Sequence, residues 1–286
     1  MNLLKLAFAF QFICSITLAQ NIISTVKVKR QPYYKYDLSD KTNNDTITYY
    51  LSEFNKQKAL PLVVYIQGSG YSSLFDSDTS GKIIPKHGHV SFAYACEKNA
   101  KVLIIEKPGV YYLENTSVNL DFDKKFSLES WSDRIVNAIK NVLKTELIDT
   151  TKILIVGHSE GGIVAARVAR LLDKRITHSA ILAGEGPSQL YSLYQFADSG
   201  VFFNSPNKNK EQRIDSLEKV WQRILADPLS TQKKFWGLTH LRWSSFLKTS
   251  PLDELSNFNG KILIMQGDVC SQSKVNFSQE SVLSLI

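Results

Sequence analysis

A chain of 286 residues with 43% apolar content can bury one large α/β core and carry an insertion beside it. Its formal charge is +7. The lysines and arginines are scattered, and no basic stripe is interleaved with aromatics, which excludes a nucleic-acid-binding reading.

Residues 1–19 read as a signal peptide. Lys5 gives a positive start, and the apolar run from Leu6 to Leu18 is interrupted only by Gln11, Ser15 and Thr17. Thr17 and Ala19 make a small-residue cleavage site before Gln20. A membrane anchor needs about 20 apolar residues, and Gln20-Asn21 ends the run before that. Export to a periplasmic or secreted location is therefore expected, with no membrane span. Cys14 follows bulky Ile13, unlike a lipoprotein cysteine, and leaves with the leader. Cys96 and Cys270 remain, expected as free buried thiols. No His/Cys/Asp spacing suits a metal and no P-loop is present, so neither metal nor cofactor is expected.

Ile23–Lys29 and Thr46–Leu51 are β-rich and read as two entry strands. Leu62–Ile66 is a continuous apolar strand, followed by a long polar loop from Gly68 to about Gly88. Val90–Glu97 reads as a helix, and Val102–Glu106 as a buried strand closed by Lys107-Pro108-Gly109. Ser130 with Asp133 resembles a capping box, opening a helix whose apolar face is Trp131, Ile135, Ile139, Val142 and Leu143.

Residues 153–162 carry the most information. Ile153-Leu154-Ile155-Val156 is a buried strand, and Gly157-His158-Ser159-Glu160-Gly161 fits G-x-S-x-G. A helical pattern follows at once through Ile163, Val164, Ala166, Val168, Ala169, Leu171 and Leu172. This is the strand–turn–helix context of a nucleophile elbow. Gly157 and Gly161 let strand and helix pass without a Cβ clash. Ser159 stands on the tip, at the positive end of the helix.

A strand at His178–Leu182 comes next. From about Glu185 to Phe258 the rhythm changes to helical patterns, with Leu217, Val220, Trp221 and Ile224 on one face. Lys261–Met265 then resumes the sheet. Strands alternating with helices imply a mainly parallel, doubly wound sheet covered on both faces. The expected organisation is a core of residues 20–184 and 259–286, with residues 185–258 as a helical cap inserted between two strands.

The elbow resembles that of α/β-hydrolase-fold serine hydrolases. With Val63-Val64-Tyr65-Ile66-Gln67-Gly68-Ser69-Gly70 upstream, the chain is similar to a branch of secreted bacterial esterases. That branch is related to dienelactone hydrolases and prolyl-oligopeptidase-like proteins. It carries G-S-G after one strand and G-H-S-E-G-G after another. The likeness runs from about residue 60 to residue 267.

Ester hydrolysis needs a nucleophile, a base, an acid to orient the base, and donors for the oxyanion. Ser159 is the candidate nucleophile. The Glu160 amide, following it at the helix start, is one candidate oxyanion donor. The resemblance implies that the Ser69 or Gly70 amide is the second. It also places the acid three residues after the glycine that ends the strand following the cap. That position is Cys270, which cannot serve as a carboxylate. Asp268, on the same loop, is the candidate acid if the loop turns differently, and Glu185 is an outside alternative.

The base is harder to find. The resemblance implies a histidine one helix and one strand beyond the acid, and only sixteen residues follow Cys270. The five histidines all precede Gly267. His158 points away from its neighbour Ser159, His87 and His89 lie in the long loop, and His178 begins a strand. His240 is the one able to reach over Ser159 from the cap. The sequence thus reads as a serine carboxylesterase by descent, truncated before its last strand and histidine, and impaired for that reason. A small-molecule ester or acyl substrate is expected under the cap aromatics, among them Phe196, Phe202, Trp221, Trp236, Trp243 and Phe246. The alternatives are a non-catalytic ligand-binding relative, or a peptidase or thioesterase of the same fold.

Overall fold

The computed structural model describes residues 22–28, 31–40, 44–52, 57–115, 120–203 and 207–266. The expected leader, and Gly267, Asp268 and Cys270, lie outside the described residues.

Three strands open the chain: β1 (Ile22–Val28), β2 (Gln31–Asp40) and β3 (Asp45–Ser52), paired antiparallel in that order. The sequence pattern points to two entry strands, and β2 is a third. Its Gln-Pro-Tyr-Tyr-Lys-Tyr-Asp run lacks aliphatic residues, and its core contacts come from tyrosines. Tyr33 is wholly buried and Tyr36 nearly so. The latter stacks on Tyr49 of β3 with ring centroids 5.1 Å apart.

β4 (Leu60–Ile66) follows, then a small hairpin of β5 (Phe75–Ser77) and β6 (Ile83–Pro85) within the long loop. Next come α1 (His89–Ala95), β7 (Lys101–Ile105), α2 (Leu120–Lys125), α3 (Leu128–Thr145), β8 (Ile148–His158), α4 (Glu160–Leu171) and β9 (His178–Leu182). Between β9 and the last described strand lie α5 (Gln189–Ser199), α6 (Lys210–Ala226), a hairpin of β10 (Lys234–Phe235) and β11 (Leu238–Thr239), α7 (His240–Leu247) and α8 (Pro251–Ser256). β12 (Lys261–Met265) closes the described chain.

The eight-stranded sheet has the order β1-β2-β3-β7-β4-β8-β9-β12. From β7 to β12 every pairing is parallel. The inner stretches Leu62–Ile66, Val102–Ile105 and Ile153–Val156 are apolar without interruption because both faces are covered. On β4, Leu62, Val64 and Ile66 join the core beneath α3 and α4, while Val63 and Tyr65 join a second core beneath α1. β7 divides in the same way, with Leu103 and Ile105 on one side and Val102 and Ile104 on the other. Residues of α5, α6 and α7 bury a third cluster of their own around Trp221, Ile224 and Trp243. The junction with the sheet is shared, since Phe246, Leu255 and Phe258 belong to the main core. Among the described residues no helix is long and apolar enough to cross a membrane.

The helix anticipated from Ser130 begins one turn earlier. Ser127 is the N-cap of α3 and accepts a hydrogen bond from the Ser130 amide at 3.1 Å, while the Ser130 hydroxyl accepts from the Ser127 amide at 3.0 Å. Ser130 is therefore the reciprocal member of the box, and Asp133 lies exposed on the second turn. Leu128 is fully buried, and its burial draws the helix start back to the preceding serine. Ser127→Ala is predicted to destabilise the protein by about 1 kcal/mol. Asp133→Ala should change stability by less than about 0.5 kcal/mol. Urea unfolding of the two variants decides which residue caps α3.

Candidate active site

β8 runs directly into the turn that holds Ser159, and α4 starts at the next residue. Ser159 has φ 53° and ψ −125°. A non-glycine residue at such a positive φ stores roughly 1–3 kcal/mol of strain. Two backbone hydrogen bonds pin it there: its N–H donates to the Leu182 carbonyl at 2.9 Å, and its carbonyl accepts from the Gly162 N–H at 2.8 Å. The two elbow glycines are required by close approach. A Cβ on Gly157 would run into the Gly161 carbonyl, and a Cβ on Gly161 into the carbonyls of Gln67 and Ile66. The first turn of α4 is thus pressed onto both β8 and β4. The Ser159 side chain makes no capping bond to α4.

The loop after β4 lies on the elbow. A Cβ on Gly68 would come within 3.2 Å of Ser159 Cβ and 3.3 Å of His158 Nδ1. Ser69 and Ser159 are shared walls of two cavities. One, of about 470 Å³, is also lined by Tyr65, His87, Phe92 and His158. The other, of about 350 Å³, reaches under the inserted helices to Glu185, Gln189, Phe196, Phe202, Trp236 and Trp243. The structure therefore brings together Ser159, the Glu160 position, Gly68 and Ser69. It leaves Asp268 outside the described residues.

Glu160 is buried, and its carboxylate pairs with the guanidinium of Arg242 from α7. Arg242 also donates to Gln189 Oε1 at 2.7 Å and lies over the rings of Trp243 and Phe246, 4.2 and 4.6 Å from their centroids. The pairing matters electrostatically. An unpaired carboxylate at the start of α4 would oppose an oxyanion arriving at the same helix terminus, and Arg242 neutralises it. Nothing in the sequence around Arg242 singles it out, because an arginine in an amphipathic helix normally faces solvent.

Glu185 lines the second cavity. Burial, and after it the nearby Glu160 charge, raises its carboxyl above the usual range. Its Oε2 has no hydrogen-bond partner among the described residues. No histidine is bonded to it.

All five histidines fall within the described residues, and none hydrogen-bonds Ser159 Oγ. His87 Nε2 pairs with Ser72 Oγ at 2.9 Å. Burial, and after it the Lys107 charge, lowers its pKa. His89 is fully buried, bonded to Tyr33 Oη at 3.1 Å and donating to the Leu74 carbonyl at 3.0 Å, with its pKa pushed down to about 4 by burial. His158 is exposed at the rim of the first cavity. His178 pairs with Thr177 Oγ1 at 2.8 Å. His240, the one able on sequence grounds to reach over Ser159, is buried in the insertion and donates to the Asp227 carbonyl at 3.2 Å.

Comparison with known proteins bears on the fold. No family model matches the chain. Among solved structures, it superposes on the acylaminoacyl peptidase of Pyrococcus horikoshii with a TM-score of 0.56 and 15% identity, covering 88% of this chain and 35% of that one. Est1E from Butyrivibrio proteoclasticus gives 0.51 and 15%, covering 86% of this chain and 84% of that one. The α/β hydrolase GrgF from Penicillium sp. sh18 gives 0.54 and 11%, covering 89% and 86%. The chain has the α/β-hydrolase fold. A curated tRNA N6-adenosine threonylcarbamoyltransferase from Campylobacter hominis is 28% identical over 99 residues, which is 32% of this chain and 30% of that protein.

Glu106, at the end of β7, holds the far side of the same loop. It is fully buried and accepts from Ser73 Oγ at 2.6 Å, Tyr50 Oη at 2.9 Å and the Leu74 amide at 3.1 Å. Burial pushes its pKa from 4.5 up to about 7. The folded state therefore holds this proton more tightly than the unfolded chain does. The resulting stabilisation is complete below pH 4.5 and is lost as pH rises through 7. Over that window the stability of the wild type should fall more steeply than that of Glu106→Gln, by at most about 1.4 kcal/mol per pH unit. Urea titrations at stepped pH read the difference, and parallel curves would contradict it.

Proposed function

We propose that the chain is a serine hydrolase of carboxylic esters, acting through an acyl-enzyme on Ser159. The strained turn that lifts Ser159 to the meeting point of two cavities carries this reading. The α/β-hydrolase fold, and hydrolases among the structures it resembles, support it.

In the proposed step, Ser159 Oγ attacks the ester carbonyl and gives up its proton to solvent water, and the carbonyl oxygen takes up negative charge. The Glu160 amide at the start of α4 and an amide of Ser69 or Gly70 receive that oxyanion, each donor contributing roughly 3–4 kcal/mol. Collapse of the intermediate expels the alkoxide or phenolate, which takes a proton from water, and leaves the acyl group on Ser159; a water molecule then attacks the acyl carbon and releases the acid, with a proton returning to Ser159 Oγ. The cavity beneath Phe196, Phe202, Trp236 and Trp243 takes the acyl side, so residues 185–258 act as the cap. Asp268 is the proposed orienting carboxylate. Export by the 1–19 leader remains part of the proposal.

The weak element is proton transfer. None of the five histidines serves Ser159 as base, so this sequence should be an impaired catalyst. An amine must be protonated to leave, whereas a phenolate departs unaided, which favours esters over peptides. The same observation favours a second reading, a ligand-binding relative without turnover.

p-Nitrophenyl acetate separates the two. The 286-residue chain should accelerate release of p-nitrophenol by about 10³–10⁴ over water, with acetyl-Ser159 accumulating in peptide mass maps. Ser159→Ala should remove both signals. No adduct, and a rate indifferent to Ser159→Ala, would establish the binding reading. Ordinary enzyme rates that depend on Ser159 would mean that one of the five histidines supplies the base after all.

A further inference from the structure

Lys107 follows β7 and is wholly buried. Its Nζ donates to the Gly68 carbonyl at 2.6 Å and the Gly70 carbonyl at 2.7 Å. The ammonium also lies over Trp131 and Phe126, 4.5 and 5.4 Å from their ring centroids. A buried ammonium is costly, and a well-packed apolar side chain would serve stability as well or better. Burial pushes its pKa down to about 8, against the opposing pull of Glu160.

The geometry has a consequence for the loop. A trans peptide is planar, so its C=O and the following N–H point in opposite directions. Holding the Gly68 carbonyl towards Lys107 turns the Ser69 N–H the other way, and holding the Gly70 carbonyl does the same to the Tyr71 N–H. Lys107 lines neither cavity, whereas Ser69 lines both beside Ser159. Two carbonyl oxygens are thereby kept away from the side where an oxyanion would form. The positive charge behind these peptides also polarises their amides, which makes them stronger donors.

We propose that Lys107 is a positioning residue that fixes the loop at Gly68–Gly70 so that the Ser69 amide is presented to the oxyanion. This rests on the serine-hydrolase reading above, and it selects Ser69 over Gly70 as the second donor.

The test uses the whole chain and Lys107→Met, with two readouts. In the first, single-turnover acylation by p-nitrophenyl acetate should slow by about 10²–10³, the loss typical of one oxyanion donor. KM should stay within about twofold, as for an interaction made only in the transition state. In the second, NMR-detected exchange of the Ser69–Tyr71 amides should quicken by about tenfold while α3 is unchanged, marking a local release of the loop. Should Lys107→Met fail to fold, Lys107→Gln is read by the same two measurements. Unchanged loop exchange, or acylation within about threefold of wild type, would overturn the proposal. If the wild type shows no Ser159-dependent acylation, the hydrolase reading fails on that arm, and amide exchange still reports whether Lys107 holds the loop.

Discussion

The site depends on one constraint: Ser159 must occupy a left-handed backbone conformation between a buried strand and a helix packed against it. An isolated peptide would relax out of it, since the strain is about as large as a few hydrogen bonds are worth. It persists because the surroundings leave no alternative. The Gly157 and Gly161 backbones are in mutual contact, the Ser159 N–H is bonded to β9, and the loop after β4 closes over the serine. Relieving the turn would mean parting α4 from β8 and β4, and with it the main core around Ile163, Val164 and Ala165.

One buried ion pair stands beside that turn. Glu160 meets Arg242, and Arg242 in turn joins α7 and α5 through Trp243, Phe246 and Gln189. The helices between β9 and β12 are thus fastened to Glu160, the first residue of the helix that follows Ser159. A buried pair of this kind adds little net stability, but removing one partner strands the other charge. Its effect here is geometric and electrostatic. It ties α7 to the start of α4 and neutralises the Glu160 carboxylate beside the first amides of that helix.

Much of this was legible in the sequence because it rests on local rules. Continuous apolar runs showed the central strands, and the glycines flanking Ser159 showed the elbow. The Leu217, Val220, Trp221 and Ile224 spacing showed α6, where all four are buried. What escaped was non-local. β2 packs into the cores largely through tyrosines that find Tyr49 and His89, with Leu38 beside them. The start of α3 shifted by one turn because Leu128 is drawn into the core. Neither Arg242 nor Lys107 has a local pattern that sets it apart from the other scattered cations, and only the assembled fold gives them partners.

The balance of the parts limits which chemistry the site favours. In the proposed hydrolase, two oxyanion donors would contribute roughly 3–4 kcal/mol each. The loss of the base in a triad costs roughly 10⁶ in kcat, about 8 kcal/mol. On the proposed reading, Ser159 therefore has amides beside it that would stabilise charge on a substrate oxygen, while none of the five histidines hydrogen-bonds its Oγ. These contributions are felt at different points of the reaction. Oxyanion stabilisation assists every acyl substrate alike, whereas the cost of lacking a base grows with the basicity of the leaving group. Among acyl substrates of one shape, the order of reactivity should then follow leaving-group acidity. Phenolates and thiolates would come first, alkoxides after them and amines last, whatever preference the aromatic cavity imposes on the acyl group.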